Sequence, residues 1–67
     1  MFMEIIEDLK AVANSQSTET IVSCIRLIGG SMEVPTEERL ARAALIEVYK
    51  ERAGDEAAEA LMDEIGM

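Results

Sequence analysis

The chain has no histidine and no tryptophan, and only one each of cysteine, proline, phenylalanine and tyrosine. Without histidine the usual zinc ligand sets are out of reach, as are serine–histidine and cysteine–histidine nucleophile pairs. One cysteine permits no internal disulfide, and a lone thiol in an apolar stretch fits a reducing compartment. Cations are scarce as well: 6 Lys and Arg stand against 14 Asp and Glu, a net charge of −8. A phosphate-binding surface needs clustered bases, so this balance argues against nucleic acid as a partner. No apolar run approaches the roughly 18 residues read as a membrane span. The acidic start MFMEIIED looks like neither a signal nor a transit peptide, so the cytoplasm is the expected location. EF-hand spacing is missing, and Gly29-Gly30 has neither a preceding strand nor the lysine of a phosphate loop. No metal and no cofactor is expected.

What is abundant is aliphatic: 49% of the residues are apolar, although only two are aromatic. A chain of 67 residues makes one domain, 1–67, and buries only about 60% of its unfolded surface, so one core is marginal. Neither a disulfide nor a metal is at hand as a staple, which leaves good helix packing or self-association. So much aliphatic surface favours self-association, and a homodimer with two-fold symmetry is the expectation.

The best-defined element is Thr36 to Arg52, TEERLARAALIEVYKER. Thr36 is a good N-cap, and Glu37 and Glu38 place negative charge at the positive end of the helix dipole. Ala41, Ala44, Leu45, Val48 and Tyr49 recur at helical spacing, widened by Leu40, Ala43 and Ile46. Lys50 and Arg52 lie in the last turn, and Gly54 is a natural stop.

Before it, Met1 to Ala13 reads as a helix with Phe2, Ile5, Ile6, Leu9, Val12 and Ala13 on one face. Asn14 to Thr20, NSQSTET, breaks the chain, with Ser17 or Thr18 as the next N-cap. A continuous helix from Phe2 to Ile28 is the alternative, because no Gly or Pro interrupts it. Ile21, Cys24, Ile25 and Ile28 fit i, i+3, i+4, i+7, and Val22 and Leu27 fall off that stripe. A helix apolar on most sides points to a central element or a subunit interface. Gly29-Gly30-Ser31 ends it. Val34 and Pro35 lead into the long helix, packing on its start as a hydrophobic staple. Asp55 caps a last helix, DEAAEALMDEI, whose Ala58, Leu61, Met62 and Ile65 share a face before Gly66. The fold class is therefore all-α, three or four short helices in a small bundle completed by homodimerisation. Phe2, Ile21, Ile25, Ile28, Leu45, Val48 and Tyr49 are the candidates for a shared core or partner interface.

Met1 to Ile25 holds four acids and one base, and Arg26 to Gly54 five of each. Asp55, Glu56, Glu59, Asp63 and Glu64 give the last segment five acids and no base. Glu56, Glu59 and Asp63 share a helix face and form a candidate acidic docking face, for a basic partner or as a nucleic-acid mimic; the alternative is a solvated face that keeps a small domain soluble. The segment around Gly54 also has the outline of a helix-turn-helix, but its second helix would present acids to phosphates, so a structural corner is preferred. Arg39 and Arg42, with Arg26 near them, could make a small basic spot for an acidic partner, but pairing with Glu38 and the terminal acids is the preferred reading. Cys24, without a base beside it, reads as a small buried hydrophobe. Ser17, Ser23 and Tyr49 sit in no catalytic motif. The chain reads as non-enzymatic.

In style the chain resembles small phage-encoded accessory proteins, which are short, acidic, helical and often dimeric. The stretch RLARAALIEVYKERAGDEAAEALMDEIGM is similar to the tails of such proteins, the anti-quorum-sensing type among them. The resemblance implies a class of role, binding a host protein such as a transcription factor to change its activity, and carries over no functional residue. The expected function is a regulator or inhibitor acting by protein–protein contact.

Overall fold

The computed structural model describes residues 2–67, and side chains from Glu7 onward. Four helices follow one another: α1 (Phe2–Asn14), α2 (Thr18–Ile28), α3 (Thr36–Ala53) and α4 (Asp55–Ile65). No strand occurs among the described residues. The longest helix, α3, packs against each of the other three. That explains why its apolar positions spread beyond one stripe: a helix covered from several directions needs apolar residues on several sides. The centre of the bundle is thus α3, not the apolar α2 that its composition suggested.

One core draws on all four helices: Ala13 from α1, Ile21 and Ile25 from α2, Val48 from α3 and Leu61 from α4. Ile21, Ile25 and Val48 are fully buried, each stabilising the fold by about 1.5–3 kcal/mol. Leu45, Ile46, Tyr49, Val22 and Ile65 pack around them half-buried. The radius of gyration is 11.0 Å, against about 10.9 Å for a compact chain of this length. The chain is thus as compact as a globular domain of its length.

Helix ends follow the sequence in part. Ser17 caps α2, its Oγ accepting from the backbone N–H of Thr20 at 3.1 Å. Gly54 stops α3 and Gly66 stops α4. Thr36 and Asp55, expected as N-caps, are instead the first residues of their helices; Pro35 and Gly54 occupy the cap positions without a side-chain bond. The Thr36 hydroxyl accepts from Arg39 Nη2 at 3.1 Å. A proline with ψ near 151° already delivers the chain in the extended geometry an N-cap needs, so the helix begins one residue sooner.

Two arginines of α3 fasten the helices that precede it. Arg42 is 3% exposed. Its Nη1 donates to the carbonyls of Gly29 at 2.7 Å and Ser31 at 2.8 Å, just beyond the C-terminus of α2. Arg52 Nη2 donates to the carbonyl of Asn14 at 2.9 Å, and its Nη1 to the carbonyl of Gln16 at 2.8 Å and to Thr18 Oγ1 at 3.3 Å. Both guanidinium groups meet the negative end of a helix dipole and satisfy carbonyls that have no partner within the helix. A bidentate clasp joins α2 to α4, from Arg26 Nε and Nη2 to the two carboxylate oxygens of Glu64, at 2.6 and 3.1 Å. Near it the chain passes α4 closely: a Cβ on Gly30 would overlap the backbone carbonyl of Ile65. Only glycine lets the α2–α3 loop lie there.

Candidate functional site

On α2, residues 19, 22, 23 and 26 recur at i, i+3, i+4, i+7 and so share a face beside the buried stripe of Ile21 and Ile25. Opposite stands Tyr49, the neighbour of buried Val48 on α3. Together with Thr18 they enclose an open groove of about 410 Å³, lined by Thr18, Glu19, Val22, Ser23, Arg26 and Tyr49. Val22 and the Tyr49 ring give the groove apolar surface. Two aliphatic hydroxyls, a carboxylate and a guanidinium give it polar surface, a mixture suited to seating a peptide or side chain by contact.

Arg26 lines the groove and is also held by Glu64. The hydrogen bond to Glu64, then its charge, raises the Arg26 pKa above its ordinary value. The same hydrogen bond holds the Glu64 carboxyl below the usual glutamate range, against a smaller opposing effect of desolvation. Both side chains are about half exposed, so solvent and salt screen the pair. At the other end Arg52 Nη1 reaches Thr18 Oγ1. The groove is thus framed by two engaged arginines on a molecule whose net charge is strongly negative.

Of the residues expected at an interface, Tyr49 alone lines the groove. Ile21, Ile25 and Val48 are buried within the one chain and offer no surface to a partner in this fold, which assigns them the core role. Ile28 and Leu45 are half-buried, and the Phe2 side chain lies outside the described residues. Glu56, Glu59 and Asp63 are all exposed along α4, and none has an ion partner among the described residues. Leu27, off the α2 stripe, is 86% exposed, and Val12 and Met32 are also largely exposed.

The basic spot does not form, and of the preferred pairings with acids one does, Arg26 with the terminal Glu64. Arg42 is buried beneath the α2–α3 loop, Arg26 pairs with Glu64, and Arg39 turns to Thr36. In place of the Glu38–Arg42 pair, the buried guanidinium of Arg42 is satisfied by two backbone carbonyls, while Glu38 stays exposed. Cys24 is half-buried rather than buried. No group of three or more Cys, Asp or Glu among the described residues is arranged to hold a metal ion, and no helix is long and apolar enough to cross a membrane. Of the other lining residues, Thr18, Val22, Ser23 and Arg26 stood out in the sequence for other reasons and Glu19 not at all, and none was expected at an interface. The signal for the groove was the second stripe of α2 at positions 19, 22, 23 and 26, masked by the stronger apolar stripe next to it.

No family model, curated protein or solved structure matches the chain.

Proposed function

We propose that the protein is a non-enzymatic interaction module: a small regulator or inhibitor, cytoplasmic and self-associating, that binds a cellular protein. The observation that supports this reading is the α2–α3 groove, which joins apolar contact surface, one aromatic ring and hydroxyl groups in the open. The charge of −8 selects a partner with a basic surface and speeds the encounter with it. The unpaired acids Glu56, Glu59 and Asp63 on α4 supply that long-range attraction. No observation favours the helix-turn-helix alternative, because α4 presents acids outward where phosphates would lie.

The test is capture of a partner by the tagged full chain, repeated with Ser23→Arg, which fills the groove from an exposed position, and with E56Q/E59Q/D63N. Loss of the captured protein with Ser23→Arg, and weaker, less salt-sensitive capture with the triple variant, are expected. Capture indifferent to Ser23→Arg but abolished by the triple variant would move the function to the acidic face, as a nucleic-acid mimic. A salt-dependent shift of duplex DNA by the chain would replace the reading altogether.

A further inference from the structure

The break between α1 and α2 creates orphan backbone groups, and the structure shows what satisfies them. In an unbroken helix the carbonyl of Asn14 would accept from Thr18 N–H and that of Gln16 from Thr20 N–H. Here Arg52 donates to the carbonyls of both Asn14 and Gln16, while Ser17 Oγ takes the N–H of Thr20. The other bonds of the elbow are local: Ser15 N–H and Oγ donate to the carbonyl of Val12 and Gln16 N–H to that of Ala13, and a continuing helix would replace them with bonds one residue longer. Ser15, Gln16 and Ser17 include no Gly or Pro, and no residue other than glycine has positive φ. All three, with Asn14 and Thr18, are exposed.

α1 is held chiefly by α3. Among its described side chains only Ala13 is buried, Leu9 and Lys10 are half-buried, and Val12 is 63% exposed. Lys10 Nζ reaches Glu51 at 3.3 Å, the lysine half-buried and the glutamate exposed. We propose that the elbow is a swap hinge latched by Arg52 and Ser17. When the latch opens, residues 2–28 become one helix about 40 Å long, and α1 leaves its own α3 for the α3 of a second copy. The contacts in the swapped dimer are those of the closed chain, so the exchange needs no new complementary surface. This names the route of the self-association proposed above and rests on that reading only for the unaltered chain.

Thr18→Pro separates the two states. Proline is favoured at the first residue of α2, and Ser17 at φ −69°, ψ 157° has the extended conformation that a residue before proline adopts. In a continuous helix the same proline would lose the bond to Asn14 and clash with its carbonyl. Sedimentation and Cα chemical shifts of Ser15, Gln16 and Ser17 are measured on Arg52→Ala and Ser17→Ala, each with and without Thr18→Pro. The expected result is a doubling of the 7.3 kDa mass and helical shifts at the three elbow residues in both single variants, with Thr18→Pro restoring the monomer and the break. Should Arg52→Ala fail to fold, Ser17→Ala carries the comparison alone. A folded single variant that stays monomeric with a non-helical elbow overturns the hinge, and so does a dimer that survives Thr18→Pro. A monomeric unaltered chain removes self-association from the proposed function and leaves the hinge to be judged on the variants.

Discussion

Among the residues that secure this fold, Arg42 has the most at stake. It is the only charged side chain buried among the described residues, and its Nη1 donates to two carbonyls just beyond the end of α2. Arg42→Ala leaves both without a donor and vacates the space between them. Loss of about 2–4 kcal/mol is expected, a large part of the roughly 3–10 kcal/mol typical for a chain of this length. Arg42→Lys keeps the charge but presents a single point instead of a planar fork, so its loss should lie between the two. Urea midpoints of the three proteins check the order; equal midpoints for Arg42→Ala and the unaltered chain would mean that water replaces the guanidinium at no cost. The exposed clasp of Arg26 and Glu64 calls for a different prediction, in pH. Glu64 titrates lower when folded, so its contribution is present above the unfolded glutamate value of about 4.3 and is lost as pH falls through the folded value. The raised Arg26 titrates far above the working range and adds no slope there. Glu64→Gln should therefore flatten the acid limb of the stability curve below about pH 4.3 in dilute buffer and leave neutral-pH unfolding little changed, since an exposed pair is worth little. A slope unchanged in the variant would assign the acid loss to other carboxylates.

At the level of elements, the turn between α3 and α4 isolates a backbone effect. Gly54 lies at φ 94°, ψ 167°, a region open in practice to glycine alone, and a Cβ placed there meets nothing within 4 Å. Gly54→Ala should thus cost about 1–3 kcal/mol through conformation only, read as a lower urea midpoint at unchanged helix content; no loss would show that the corner relaxes freely. That corner was legible in sequence because a long amphipathic run, two cations in its last turn and a glycine all mark one place. The four helices and the core isoleucines were legible for the same reason, since each is written in local spacing. What spacing does not carry is the partner across space. Arg42 and Arg52 looked like surface cations, yet their partners are backbone carbonyls 11 to 38 residues away in the chain. The apolar character of α2 pointed to the centre, yet α3 is the helix that packs broadly against each of the other three. The groove was hidden likewise, because five of its six lining residues belong to α2 and its aromatic wall to α3.

For the molecule as a whole, the excess of acid works against the fold, and α4 shows where. Asp55 and Glu56 sit in its first turn, where the helix dipole favours them, but Asp63 stands near its C-terminal end, where no base lies in the last turn and negative charge is disfavoured. Glu59 lies three or four residues from Glu56, Asp55 and Asp63, and like charges at that spacing each destabilise a helix by about 0.2–0.5 kcal/mol. E59Q/D63N should therefore stabilise the protein in dilute buffer by about 1 kcal/mol, or about 4–8 °C in Tm for a domain this small. Added salt screens the repulsion, so the Tm of the unaltered chain should rise with sodium chloride and approach that of the variant. Thermal unfolding of both proteins at low and moderate ionic strength checks this, and a variant less stable at low salt would mean that these acids hold the fold through contacts of their own. A local rule broken without a compensating contact inside the chain is the pattern expected where a residue serves something outside it. The same two substitutions that raise Tm should therefore weaken capture of a basic partner, a trade that a purely solubilising face would not show.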